Sequence, residues 1–386
     1  MIIEPKVKGF ICMTAHPQGC KENVARQISY IKSLGKTPGP KKVLIIGAST
    51  GYGLASRIAA TYACGASTIG ILYEKPATDR RTATPGWYNT TAFESFAVKD
   101  GYYAKSINGD AFSKEIKDQT IELIKNDLGT VDMVIYSLAA PRRTMQDGTI
   151  YNSTLKTVDC NFTDKSLNLK DNSITEATIG SATEEEIIAT VKVMGGEDWK
   201  DWITALAKAD ALSDNAITIA YSYIGPKLTY PVYYNGTIGL AKKDLYHTSL
   251  EITRDFALKG VKAYISINKA LVTQASSAIP IVPLYFAILY KVMKEKGNHE
   301  GCIEQMGRLF HEKLNTSHIF VDEDNRIRLD DYEMQEDIQS KVMEIWDRID
   351  SENVRELADL TGYWDDFYHL FGFHFNNIDY SKDVEI

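Results

Sequence analysis

Tyr233 and Lys242 stand with eight residues between them in the segment Tyr233-Tyr234-Asn235-Gly236-Thr237-Ile238-Gly239-Leu240-Ala241-Lys242-Lys243. A phenol near a cation can serve as a proton donor, because positive charge stabilises phenolate and lowers a pKa that is otherwise about 10. At about 100° per residue, these two positions point to opposite faces of one continuous helix. They converge only if the tyrosine lies in a loop and the lysine inside the helix that follows. Gly236 and Gly239 are where that change of backbone costs least. Tyr234 and Lys243 repeat the spacing one residue later, so arithmetic alone leaves both pairs open.

Upstream lies a place for a redox cofactor. Val43-Leu44-Ile45-Ile46 is a short apolar run of buried-strand character. It leads into Gly47-Ala48-Ser49-Thr50-Gly51-Tyr52-Gly53, and Leu54 to Ala60 then reads as the start of an amphipathic helix. Glycines in a strand–loop–helix setting let the backbone turn tightly and approach a pyrophosphate, whose charge the helix N-terminus stabilises. The spacing G-x-x-x-G-x-G is the short-chain-dehydrogenase variant. A second strand, Ser67 to Tyr73, ends in Glu74. An acidic residue about 20 positions past the glycine loop is where the adenosine ribose hydroxyls are read. Glu74 would accept from the ribose diol and repel a 2′-phosphate, which argues for NADH over NADPH.

The elements that must position these groups alternate as a parallel sheet with crossover helices requires. Strands are expected at Tyr102–Ile107, Val131–Ser137, Ile217–Tyr223 and Lys262–Asn268, and helices at Phe112–Asp127 and Thr183–Ala209. The Thr/Asn/Asp-rich stretch 148–180 reads as inserted β-hairpins, and the chain from Ala278 (278–386) as mostly helical, on the substrate side. The expected fold is α/β: a Rossmann-like, doubly wound parallel sheet in one continuous domain, 1–386. Gly47, Tyr73-Glu74, Asp110-Ala111, Leu138-Ala139, Tyr223 and Leu271-Val272-Thr273 each follow an expected strand. In a doubly wound sheet those carboxyl ends line one ligand crevice. Asp110 would meet the adenine edge, and the small Ala139 and Ala140 would let the backbone lie close to the nicotinamide ribose.

With 386 residues the chain can bury a full core. A net charge of −8 and a pI near 5.5 argue against nucleic acid as a general partner. Cys12, Cys20, Cys64, Cys160 and Cys302 are scattered without a CxxC, which fits a reducing cytosol or organelle matrix. Met1 to Lys6 has neither the apolar core of a signal peptide nor an Arg/Ser-rich transit pattern, so a cytoplasmic location is expected. The most apolar stretch, Ala278 to Met293, contains Pro280, Pro283 and Lys291 and is too short for a bilayer; no membrane insertion is expected. His299-Glu300-Gly301-Cys302 lacks H-E-x-x-H spacing and a second Cys/His pair, so no metal is expected.

Several long motifs together resemble the trans-2-enoyl-CoA reductase family, which includes the FabV-type enoyl-acyl-carrier-protein reductases. They are the glycine loop, Ser137 to Arg143, Val193-Met194-Gly195-Gly196-Glu197-Asp198-Trp199, Tyr221 to Gly225, the tyrosine–lysine segment and Lys291 to Gln305. The similarity runs from Val7-Lys8-Gly9-Phe10 to Asp379-Tyr380-Ser381-Lys382, nearly the whole chain. It implies a monomeric, NADH-dependent reductase that saturates the α,β double bond of a trans-2-enoyl thioester carried on coenzyme A or acyl-carrier protein. By position Tyr233 matches the family's proton-donating tyrosine, Lys242 its cofactor-binding lysine and Tyr223 the tyrosine that contacts substrate. The family's glycine-threonine-isoleucine-glycine stretch favours Tyr233 with Lys242 over the second pair. Tyr233, with Tyr223 as a second candidate, would donate to the enolate oxygen formed by hydride attack.

Two other classes share this fold. A dinucleotide-binding sensor would have no need of both Tyr233 and Lys242. An alcohol dehydrogenase of the short-chain type usually places tyrosine and lysine on one helical face with three residues between them, together with a serine; the wider spacing here points to enoyl reduction.

Overall fold

The computed structural model describes every residue except Phe10, Ala275, Ser277, Ala278 and 315–317. Phe10 of the N-terminal motif and Ala278, the expected start of the helical part, therefore lie outside the described residues. The central sheet comprises β1 (Lys42–Ile46), β2 (Ser67–Leu72), β3 (Ala104–Asn108), β4 (Val131–Tyr136), β5 (Leu212–Ser222), β6 (Lys262–Ile267) and β7 (Arg326–Arg328). Its spatial order is β7-β6-β5-β4-β1-β2-β3. Every neighbouring pair is parallel. The chain thus winds outward from β1 in one direction, returns, and winds outward from β4 in the other.

The helices of the layers are α1 (Pro17–Leu34), α2 (Gly51–Cys64), α3 (Pro85–Lys99), α4 (Lys114–Asp127), α5 (Glu184–Met194), α6 (Glu197–Lys208) and α7 (Thr237–Asp255). α8 (Val282–Lys296), α9 (Cys302–Arg308), α10 (Glu336–Arg348), α11 (Val354–Leu357) and α12 (Leu360–His369) follow. Successive strand residues face opposite sides of a sheet, and β1 shows it. Val43 and Ile45 join a core with α1, α2, α3 and α9, while Leu44 and Ile46 join a second core with α4, α6 and α7. Burial on both faces is why β1 reads as an unbroken apolar run. A third core, from α8, α10 and α12 with Leu167, Ile179, Ile3 and Val384, builds the part beside the sheet. Phe162–Leu167 with Ile174–Ile179 forms a hairpin inside the expected stretch 148–180, while a second hairpin, Arg142–Thr144 with Ile150–Asn152, begins upstream of it. Among the described residues, no helix is long and apolar enough to cross a membrane.

Three expectations need correction. The single helix expected over Thr183–Ala209 breaks at Gly195-Gly196 into α5 and α6. A Cβ on Gly195 would overlap Asp244 Oδ2 and one on Gly196 would overlap Thr248, so α7 packs where side chains are missing. The strand expected from Ile217 starts at Leu212 and shifts register against β4 between Leu212 and Ile217. The helical C-terminal part also carries a strand, β7, where Ile327 is buried between two arginines.

Candidate active site

The glycine loop leaves β1 beside the point where the winding direction reverses, and the local backbone explains its composition. Gly47 has φ +85° and Gly51 φ +54°, both left-handed. A Cβ on Gly47 would run into the Ser137 carbonyl, and one on Gly53 into the Gly47 carbonyl. Thr50 is the N-cap of α2, yet no side chain closes that first turn and no acidic residue occupies it. Its leading N–H groups are left for an anion.

At the outer end of the loop Ser49 Oγ donates to Glu74 Oε1 at 2.6 Å. Asn108 holds the Glu74 backbone, donating to its carbonyl at 2.9 Å and accepting from its N–H at 2.7 Å. The first turn of α3 approaches so closely that a Cβ on Gly86 would overlap the Glu74 carboxylate. Glu74 is therefore a fixed carboxylate rather than a free strand end. Beside it Tyr73 is 79% exposed.

The remaining strand ends lie on the same edge. Asp110 Oδ1 accepts from Phe112 N at 3.0 Å, closing a turn. Ala111 is buried, and its carbonyl accepts from Trp202 Nε1 at 3.1 Å. Leu138 is half-buried and Ala139 exposed. Leu271 and Val272 are buried, with Val272 N donating to the Tyr290 hydroxyl at 3.1 Å. Thr273 N donates to Ser276 Oγ at 2.9 Å. Tyr52 turns away from this edge in its side chain. Its hydroxyl donates to the Lys269 carbonyl at 2.8 Å and accepts from Gln305 Nε2 at 2.8 Å, bracing the exit of β6.

Tyr233 lies in the turn before α7, Gly236 is the N-cap, and Lys242 sits inside the helix. A Cβ on Gly239 would overlap the Tyr234 carbonyl and crowd that of Tyr233, so this glycine lets the turn fold back on the helix. The two tyrosine–lysine pairs separate here. Lys242 Nζ points to the end of β5 and donates to the Tyr221 carbonyl at 3.0 Å. Burial lowers its pKa to about 8. Tyr233 meets Tyr223 edge to face, with ring centroids 4.9 Å apart and planes at 82°. Burial raises the Tyr233 pKa, opposite to the lowering expected from a neighbouring cation, and keeps the phenol protonated. Tyr234 instead lies 4.8 Å from Tyr230 and under the ammonium of exposed Lys243 at 5.0 Å.

Sequence reasoning missed the groups behind Tyr223. Its hydroxyl donates to Glu333 Oε1 at 2.9 Å. Glu333 is fully buried, and Lys269, also buried, follows β6. A lone lysine between Ile267-Asn268 and Ala270-Leu271-Val272 is a legible hint of a buried cation. Glu333, inside Asp330-Asp331-Tyr332-Glu333, gives no such hint, because an acidic run reads as solvated surface.

This arrangement matches a known pattern. Residues 81–315 match the family model described as the trans-2-enoyl-CoA reductase catalytic region, and 2–79 match the NAD(P)H binding domain of trans-2-enoyl-CoA reductase. The chain belongs to the trans-2-enoyl-CoA reductase family. Among relatives in this family, the trans-2-enoyl-CoA reductase [NADH] of Ruminiclostridium cellulolyticum is 53% identical over 387 residues, spanning 100% of this chain and 98% of that protein. The enoyl-[acyl-carrier-protein] reductase [NADH] of Flavobacterium johnsoniae is 56% identical over 386 residues, with 100% and 98% covered. The crystal structure of Clostridium acetobutulicum trans-2-enoyl-CoA reductase in complex with NADH superposes with a TM-score of 0.97 at 47% identity, covering 100% of this chain and 98% of that one.

Residues 321–384 match a family model described as the enoyl reductase FAD binding domain. The residues present do not fit a flavin dinucleotide. The segment contributes β7, α10, α11 and α12, and its two glycines are occupied otherwise. Gly362 N is capped by Asp359 Oδ1 at 2.8 Å, and Gly372 packs on the backbone of His16 and Cys20. The residues that do fit a dinucleotide are those of the glycine cradle, Glu74 and Lys242.

Proposed function

We propose that this chain is an NADH-dependent reductase of trans-2-enoyl thioesters, converting crotonyl-CoA to butyryl-CoA. The observation that carries the reading is the placement of Tyr233. A protonated phenol stands in the turn before α7 while Lys242, in the same helix, turns to the end of β5 beside the glycine cradle. Gly47, Ala48, Ser49, Thr50, Gly51 and Gly53 would cradle the pyrophosphate. Glu74 would take the ribose diol, with Tyr73 beside it. Asp110, Ala111, Leu138, Ala139, Leu271, Val272 and Thr273 would line the rest of the cofactor. Tyr52 contributes backbone to the loop.

NADH, when bound, supplies the hydride for the β-carbon. Reduction there drives electrons onto the thioester oxygen, and a donor aimed at that oxygen stabilises the transition state. Tyr233 is that donor, and the desolvated Lys242 ammonium would hold the ribose. Tyr223 shapes the substrate side of the same pocket. The cores shared between sheet and C-terminal helices support a single working domain, 1–386. The enzyme works as a monomer in the cytoplasm.

Steady-state NADH oxidation with crotonyl-CoA, set against a panel of ketones, tests the reaction. Turnover of ketones with none of crotonyl-CoA would remove the reading. The second reading is an enoyl-acyl-carrier-protein reductase, favoured by the 56%-identical Flavobacterium relative bearing that name. Crotonyl-CoA and crotonyl-acyl-carrier protein at matched concentrations decide between them; a much higher kcat/KM on the protein-bound substrate selects the second.

A further inference from the structure

Glu333 is a fully buried carboxylate with both oxygens in use. Oε1 accepts from the hydroxyls of Tyr223 at 2.9 Å and Tyr285 at 2.6 Å, and Oε2 accepts from Ala270 N at 2.7 Å. A buried carboxylate persists only if its charge is balanced and its lone pairs are filled. Burial raises the Glu333 pKa, and the charge of buried Lys269 is the first influence opposing that rise. Reciprocally, burial lowers Lys269 to about 8 and Glu333 is the first influence opposing it. Lys269 Nζ donates to the Ala270 carbonyl at 2.9 Å and lies 5.1 Å from the centre of the Tyr290 ring.

This pair joins two parts of the site that are far apart in sequence. Ala270 precedes Leu271 and Val272 on the cofactor edge, and Tyr223 directly follows β5 and packs against Tyr233. Gly225, at φ +72°, lacks the Cβ that would overlap the Tyr223 hydroxyl, so the phenol can pass over the turn to reach Glu333. A phenol has one proton to donate. The Tyr223 proton is directed at Glu333, so a substrate oxygen meets the Tyr233 donor alone.

We propose that Glu333 is a positioning residue of the reductase, which takes the Tyr223 hydroxyl proton in a hydrogen bond and so fixes the Tyr223 ring edge-on against the Tyr233 donor. The proposal rests on the reading of Tyr233 and Tyr223 given above. Lys269 supplies a countercharge that opposes the burial-driven rise in the Glu333 pKa.

A double-mutant cycle with Glu333→Gln and Tyr223→Phe, measured as kcat/KM for crotonyl-CoA at saturating NADH, tests it. Glutamine keeps the shape and one acceptor but removes the charge that holds the phenol. Each single substitution is expected to lower kcat/KM by about tenfold, the scale of a lost hydrogen bond to a charged group. The double variant is expected to lose little more than Tyr223→Phe alone, because the hydroxyl through which Glu333 acts on the Tyr233 donor is gone, while an amide can still accept from Tyr285 and Ala270 N. Equal losses from Glu333→Gln in both backgrounds would show a merely structural carboxylate and overturn the proposal, while leaving the assigned reaction intact. A silent Tyr223→Phe would overturn the proposal together with the place of Tyr223 in the site. If Glu333→Gln yields no folded enzyme, Glu333→Asp keeps the charge, shortens the reach and enters the same cycle. A loss that vanishes in the Tyr223→Phe background then supports the proposal, and one that persists there overturns it.

Discussion

Tyr233 and Lys242 are separable by their chemistry. Tyr233→Phe deletes only the phenolic oxygen, so kcat should fall by about 10²-fold or more while the NADH Kd, read by fluorescence, stays put. Tyr234→Phe, whose ring sits beside Tyr230 and Lys243, should leave kcat close to wild type. A dead Tyr234→Phe with an active Tyr233→Phe would reverse the assignment. Lys242 carries its own pH signature. Its pKa is lowered to about 8, so the cation is present below that pH and lost above it. NADH should therefore bind more weakly as pH rises through about 8, and Lys242→Met should be weak at every pH without that inflection. Glu74→Ala should narrow the preference for NADH over NADPH, checked as the ratio of the two kcat/KM values. The Tyr–Lys spacing and glycine loop were legible because their geometry is local in sequence. Glu333 was not, since it meets Tyr223 across 110 residues and only the fold brings them together.

The elements divide along the same physical line. Strands β1 and β4 were legible because burial on both faces leaves apolar runs. The expected segments at Gly47, Tyr73-Glu74, Asp110-Ala111, Leu138-Ala139 and Leu271-Val272-Thr273 follow strands of one parallel sheet, while Lys242 lies inside α7. α1 and α3 were not anticipated. α3 contains Gly86, Thr90 and Thr91, which are poor helix formers, and tertiary packing of Phe93 and Ala97 overrides that preference. The glycine loop offers a contrast that tests its geometry. Gly51→Ala places a Cβ in open space and incurs only left-handed strain. Gly53→Ala drives a Cβ into the Gly47 carbonyl. Titration with NADH should show a modest change for the first and a loss of about tenfold or more for the second, the scale of overpacking. Equal affinities would mean that the loop opens more readily than this packing allows.

Across the whole molecule, the C-terminal helices share one core with Ile3 near the chain's start and with the hairpin Phe162–Leu167/Ile174–Ile179. Trp346, 4% exposed, packs there with Ile3, Leu167 and Val384, and its carbonyl accepts from Lys165 Nζ at 2.7 Å. Trp346→Ala should destabilise the fold by about 3–5 kcal/mol, read from the denaturation midpoint, because a large buried ring leaves a cavity. Unfolding followed by tryptophan fluorescence and by circular dichroism should coincide in one transition; separate transitions would mark the C-terminal part as an independent unit. This packing escaped the sequence because hydrophobic faces of α10 and α12 announce burial but not the partner they are buried against.

The lowered pKa of Lys242 also sets it apart from the surface lysines toward reagents. As pH rises through about 8 its free base becomes abundant, where a lysine in water, with pKa near 10.4, stays almost wholly protonated. Lys269 is depressed to about 8 as well, yet at 2% exposure it is shielded. A small aldehyde followed by borohydride should mark Lys242 ahead of the surface lysines, NADH should protect it, and a peptide map would show both. The residue proposed to hold the cofactor would thereby double as a covalent handle for counting competent sites in a preparation.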